Sequence, residues 1–142
     1  MKRKLPRTKG IYIDRNILES DAFWELTGKS IQIYMVFRMK CVFANKHIGK
    51  RKARVIINNG EITYTFAESK NKHGISKSTF LRSRDQLIEV GFIEIAEYGG
   101  SHHTNKYKLS DNWRKYPEQT FKRPKSGNLV GMKTRWTSKH NA

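Results

Sequence analysis

The chain has 142 residues, 37% of them hydrophobic and 11% aromatic, enough apolar material for one domain with a single core and too much for a wholly disordered polycation. Its 29 Lys and Arg against 12 Asp and Glu leave a net charge of +17, which directs attention to polyanionic partners. The single cysteine, Cys41, excludes an internal disulfide and a cysteine-built metal cage, and no apolar run approaches the roughly 20 residues of a membrane span.

The charge is unevenly placed. Residues 1–10 hold five basic residues and no acid, residues 46–54 (KHIGKRKAR) another five and no acid, and residues 114–142 eight basic residues against Glu118. These three stretches account for the whole net charge, and the remainder of the chain is balanced. The reading is a globular body at 11–116, neutral apart from the run 46–54 and Arg114-Lys115, with a basic flexible arm at 1–10 and a basic mobile tail at 117–142. The expected setting is cytoplasmic and nucleoid-associated. The N-terminus leads into IYIDRNILES rather than an apolar signal stretch, and the basic runs do not follow an amphipathic helix. Nucleic acid is therefore preferred to a membrane as the partner.

In chain order, MKRKLPRTKG has no periodicity and contains Pro6 and Gly10, as an arm would. Ser20 is placed to cap a short helix over DAFWEL, Thr27-Gly28 to break it, and Ser30 to cap the next. From Ile31 to Phe43 apolar residues fall on too many sides for a surface helix, which predicts the central post of the fold, with Cys41 and the methionines as packing. The basic run 46–54 reads as a loop. VIINNGEITYTF then places two β-favouring runs around Asn58-Asn59-Gly60, either as a short hairpin or as one short strand near Ile62–Tyr64 after a turn.

Thr65 and Glu68 have the spacing of a capping box, predicting a helix through FAESKNKH that ends at a left-handed Gly74. Ser76 caps the following helix, KSTFLRSRDQLIEV, which stops at Gly91. Two short helices joined by His73-Gly74-Ile75-Ser76 have the spacing of a helix-turn-helix. FIEIAEY and NKYKL, joined by GGSHHT, alternate like paired strands, and a hairpin in that position is a wing. Ser110–Trp113 closes the body. The fold class is mostly α with a small β component.

At about 100° per residue, Phe80, Ser83, Leu87 and Ile88 share one face of the second helix, with Ser78, Arg82, Asp85 and Glu89 opposite. A recognition helix enters the major groove with its N-terminal half leading, so Ser76, Lys77, Ser78, Thr79, Leu81 and Arg82 are the candidates for base readout. Arg82 can take a guanine edge through two bonds, and Leu81 can touch a thymine methyl. Lys46, Lys50, Arg51, Lys52 and Arg54, with His102, His103, Lys106 and Lys108 on the wing, are the candidates for backbone contact. Asp85 and Glu89 would be repelled by phosphate unless paired, for instance with Arg82. Arg84 falls where the buried stripe favours an aliphatic residue. Either its stem packs at the core edge while the guanidinium reaches a carboxylate, or the helix phase is shifted.

The run Ile75-Ser76-Lys77-Ser78-Thr79-Phe80-x-Arg82, then Leu87-x-x-x-Gly91-Phe92-Ile93 and a β-wing, resembles the winged helix-turn-helix superfamily. Ser20-x-Ala22-Phe23-x-x-Leu26, Asn58-Asn59-Gly60-x-Ile62 and Lys106-Tyr107-Lys108-Leu109-Ser110 narrow the likeness to small DNA-binding proteins of phages, plasmids and integrated elements, described as replication-initiator-like or as regulators. The resemblance covers roughly residues 11–116. It implies DNA binding, with double-stranded DNA as the leading partner, and no cofactor is expected.

Two other classes stay open. One is a non-specific module for RNA or single strands, with Tyr98, Tyr107, Trp113 and Trp136 as stacking candidates. The other is an interaction protein, with a homodimer through the helix at 30–43. An enzyme is the least supported reading. None of the five histidines has H-x-x-x-H spacing, there is no phosphate-cradling G-x-x-x-x-G-K-[ST] loop, and adjacent His102-His103 suit a polar wing tip better than a metal site.

Overall fold

The computed structural model describes residues 10–100 and 104–124. They form a mixed α/β fold of five α-helices and two antiparallel hairpins. The order is α1 (Arg15–Leu18), α2 (Asp21–Glu25), α3 (Gly28–Lys40), β1 (Phe43–Ile48), β2 (Arg51–Ile56), α4 (Phe66–His73), α5 (Lys77–Glu89), β3 (Ile93–Glu97) and β4 (Lys106–Leu109), with a 3-10 turn at Asn112–Lys115.

Helix boundaries follow side-chain caps that satisfy the unpaired N–H groups of the first turn. Asp14 caps α1, Ser20 caps α2, Thr65 caps α4 and Ser76 caps α5. The α3 cap is Thr27, whose Oγ1 accepts from the Ser30 N–H, in place of the expected Ser30. Ser30 lies inside the first turn and is fully buried, because its hydroxyl has a partner on α5. The same helix ends at Lys40, three residues before the expected Phe43. There the Asn58 side chain replaces the next helical turn, donating to the Lys40 carbonyl and accepting from the Val42 N–H, both at 2.9 Å.

The core is built around α3. Ile33 and Phe37 are fully buried and Tyr34 nearly so, facing Phe80 and Leu87 of α5, Phe92 and Ile93 at the start of β3, and Tyr107 of β4. Aromatic rings join these elements, with centroid separations of 4.7 Å for Tyr34–Phe92, 5.1 Å for Phe37–Tyr107 and 5.2 Å for Tyr64–Phe80. Each such pair is worth about 0.5–1.5 kcal/mol beyond its buried area. Since Ile33, Tyr34, Val36 and Phe37 are buried within the chain, α3 presents only part of its apolar surface to any second copy.

The basic run 46–54, expected as a loop, is a β-hairpin. Ile48 pairs with Arg51 across the two-residue turn Gly49-Lys50, where Gly49 has φ 64 and Lys50 does not have positive φ. That is the φ pattern of a type II′ turn, which suits strand twist and needs glycine at its first central position. Asn58-Asn59-Gly60 is a turn outside any hairpin. The expected strand near Ile62–Tyr64 is reduced to one bridge, Ile62 to Tyr107, which places this segment beside β4.

Only half of the expected capping box forms. Thr65 Oγ1 accepts from the Glu68 N–H at 3.0 Å, but the Glu68 carboxylate is held by Lys40 at 2.7 Å and Lys72 at 3.6 Å. Gly74 is left-handed at φ 65, and the Ile75 N–H reaches the Ser69 carbonyl, closing α4 as a Schellman motif does. Residues 117–124, expected within the mobile tail, run back along α5 and β3. Phe121 N–H donates to the Glu89 carbonyl at 3.0 Å, and the Tyr98 hydroxyl donates to the Pro124 carbonyl.

Candidate nucleic-acid interface

The two faces of α5 separate cleanly. Phe80, Ser83, Arg84, Leu87 and Ile88 are buried, while Lys77, Ser78 and Arg82 are exposed. Of the six candidate readout residues, Arg82 has no ion-pair or hydrogen-bond partner among the described residues. Lys77 is held over the exposed Phe66 ring at 4.6 Å. Ser76 uses its hydroxyl as the helix cap and donates to Thr79 Oγ1 at 3.0 Å, so both side chains fix the first turn. Leu81 is half-buried against the core and lines the cleft between α5 and the β3–β4 hairpin.

Arg84 adopts the first of its two expected arrangements. The residue is 5% exposed, and its Nε and Nη2 donate to Asp85 Oδ1 at 3.2 and 3.0 Å. Asp85 is therefore paired with Arg84, and more distantly with Arg123 at 3.9 Å, rather than with Arg82. The helix phase stands, and Arg82 has no neutralising partner among the described residues.

Gln86 sets how α5 sits on the helices before it. Its Oε1 accepts from Ser30 Oγ at 2.5 Å and from the Thr27 N–H at 3.1 Å, and its Nε2 donates to the Glu25 carbonyl at 3.2 Å. These bonds draw the start of α3 against α5, so Thr27, Gly28 and Lys29 share one cleft with Thr79 and Arg82. Lys29 thereby joins the candidate surface. Its place there follows from Gln86, a contact 56 residues distant from Ser30 that no local pattern announces.

On the β3–β4 hairpin, His102 and His103 lie outside the described residues. Lys106 contacts Glu61 at 2.9 Å and Glu97 at 3.6 Å, and Lys108 contacts Glu94 at 3.0 Å. The hydrogen bond from Glu61 and its charge hold the Lys106 ammonium above its usual range. Both lysines are thus locally neutralised, which lowers their value as phosphate contacts.

The β1–β2 hairpin differs. Lys46, Lys50, Arg51 and Lys52 are exposed and have no carboxylate within ion-pair distance among the described residues. Arg54 lies over the rings of Tyr12 at 5.1 Å and Phe43 at 5.9 Å, so it serves the base of the hairpin. Beneath it, Arg38 is 7% exposed and donates to the Tyr12 carbonyl. Burial pushes the neighbouring Cys41 thiol up, away from nucleophilic use at neutral pH.

Among the described residues no group of three or more His, Cys, Asp and Glu side chains could hold a metal ion, and no helix is long and apolar enough to cross a membrane. No family model, curated protein or solved structure matches this chain.

Proposed function

We propose that this chain binds double-stranded DNA as a winged helix-turn-helix protein, with α4 and α5 as the helix pair and β3–β4 as the wing. The role that fits its sequence resemblance is transcription regulation or replication of a phage or other mobile element. One observation carries the reading: α5 buries one face completely and presents Ser78 and Arg82 from its first two turns, with Arg82 unpaired among the described residues.

The major groove, about 12 Å wide, admits a helix in this orientation. Arg82 meets a guanine edge, Lys77 and Ser78 meet phosphate or base, and Lys29 meets the backbone beside them. Ser76 and Thr79 act by holding the first turn. Asp85 and Glu89 limit the contact to that half of the helix, since carboxylates near phosphate are repelled.

Selection from random duplexes tests the proposal. An enriched motif is expected, and Arg82→Ala should cost about 1–3 kcal/mol while relaxing preference at one base pair. If Arg82→Ala weakened preferred and random duplexes by the same factor, α5 would not be the reading helix. With six to ten phosphates neutralised, affinity should fall by roughly 10³ to 10⁵ between about 50 and 200 mM salt.

A further inference from the structure

We infer that the β1–β2 hairpin is a second DNA contact, a ribbon that follows the minor groove and wedges Ile48 between base pairs, bending the duplex. The inference rests on DNA being the ligand but uses a surface other than α5, whose main packing partners are α3, α4 and β3.

Three features of the hairpin point this way. The first is its anchoring, which is confined to one end. Asn58 ties it to the end of α3, the Ile57 N–H bonds the Val42 carbonyl at 2.9 Å, and Arg54 stacks on Tyr12 and Phe43. From that base each strand runs six residues, about 20 Å, to the turn. The second is charge. Lys46, Lys50, Arg51 and Lys52 surround the distal half, and no acid occurs between Phe43 and Ile56. Weak β-formers of this kind are not chosen to stabilise a sheet. A cationic ribbon instead gains by displacing counterions from phosphate.

The third is the residue at the tip. Ile48 is 61% exposed, paired with Arg51 beside the turn, and makes no contribution to the core. An apolar side chain gains when it reaches an apolar surface, and the largest one a duplex can open to an arm in its minor groove is the face of an unstacked base. Apolar wedges enter DNA from the minor groove, partly unstacking one step and kinking the helix. Opening the step also widens a groove that is otherwise only about 6 Å across.

The test is energy transfer between dyes on the two ends of a duplex of about 30 base pairs, short against the roughly 150 base-pair persistence length, so it stays straight unless bent. The full-length protein should raise transfer at saturation. Ile48→Ala should return transfer to the level of the free duplex while affinity falls less than about tenfold, and Ile48→Leu should restore the bend. Replacing Lys50 and Arg51 with Ala should reduce the salt slope by roughly 2. Because Ile48 is exposed, its variants should melt as the parent does, which a thermal scan verifies. No bend at saturation, or a bend that survives Ile48→Ala, overturns the inference and leaves the reading by α5 intact. Absence of duplex binding overturns both. Loss of binding to anionic phospholipid vesicles in Ile48→Ala, with DNA bending unchanged, would assign the arm to a lipid surface and overturn it.

Discussion

Gly91 has φ 94, and a Cβ there would meet the Asn112 carbonyl carbon and the Trp113 nitrogen at 2.5 Å. These are backbone atoms held by the Trp113 N–H bond to the Gly91 carbonyl at 3.0 Å, so they cannot yield without moving Trp113 out of the core. Gly91→Ala should destabilise by about 3 kcal/mol or more. Gly74, at φ 65 with open space around it, should lose only about 1 kcal/mol on the same change. Urea melts of the two variants provide the comparison, and equal losses would remove the close approach as the cause. Burial pushes the hydroxyls of Tyr34 and Tyr64 from 10.0 up to about 12, with Arg38 opposing the shift at Tyr34 and Glu68 adding to it at Tyr64. The fold favours the neutral phenols, so their contribution is complete below pH 10 and is lost as pH rises toward about 12. Tm measured from about pH 9 to 12 should fall less steeply in Tyr34→Phe. An unchanged slope would assign the alkaline transition to other groups.

Between elements, Gln86 makes the most consequential polar contact. Gln86→Ala would remove the acceptor shared by the Ser30 hydroxyl and the Thr27 N–H, at a cost of about 0.5–1.5 kcal/mol since Ser30 keeps Thr27 Oγ1 as a partner, and would loosen the start of α3 from α5. Stability and duplex affinity should fall together, and a loss of stability with duplex affinity unchanged would show that the seating of α3 on α5 does not shape the contact surface. Glu68 links α4 to α3 in a similar way. Burial raises its pKa, but the hydrogen bond and charge of Lys40 outweigh that effect and hold it below its usual range. The contribution is present above the ordinary carboxylate range and is lost as pH falls through the lowered value. Caps of this local kind were legible from residue type and spacing: Ser20, Thr65, Gly74 and Ser76 all stand where pattern places them. The hairpin at 43–56 was not, because Asn, Lys, Arg and Ala are poor strand formers and dense charge resembles a solvated loop. The overlooked signal was Gly49-Lys50 between two runs of equal length.

Across the whole molecule, charge and packing divide differently from one another. The basic arm at 46–54 is an ordered hairpin, whereas the chain remains packed on the body through 124, beyond the sequence boundary at 117. Deleting 117–142 should therefore lower Tm more than deleting 125–142, since only the first removes the half-buried Phe121 and its bond to Glu89. A calorimetric scan of both truncations measures the difference, and identical Tm values would show that 117–124 adds nothing. Removal of 1–10 together with 125–142 should reduce affinity and salt slope while preserving site preference. Preference lost with these segments would mean that they read bases themselves.

The helix pair, its turn and the face of α5 that is buried were already determined by local chemistry: a capping hydroxyl, a left-handed glycine and a period of 3.6 act within a few residues of one another. Lys29 beside Arg82, the neutralised Lys106 and Lys108, and the exposed tip at Ile48 depended on the folded chain. The first two result from contacts between segments far apart in sequence, such as Gln86 with Ser30 and Glu61 with Lys106, whereas the tip is set by the local Gly49-Lys50 turn and only its base is placed by Asn58 on Lys40. Whether a cation is available to a polyanion depends on which carboxylate lies within ion-pair distance, and packing alone sets that distance.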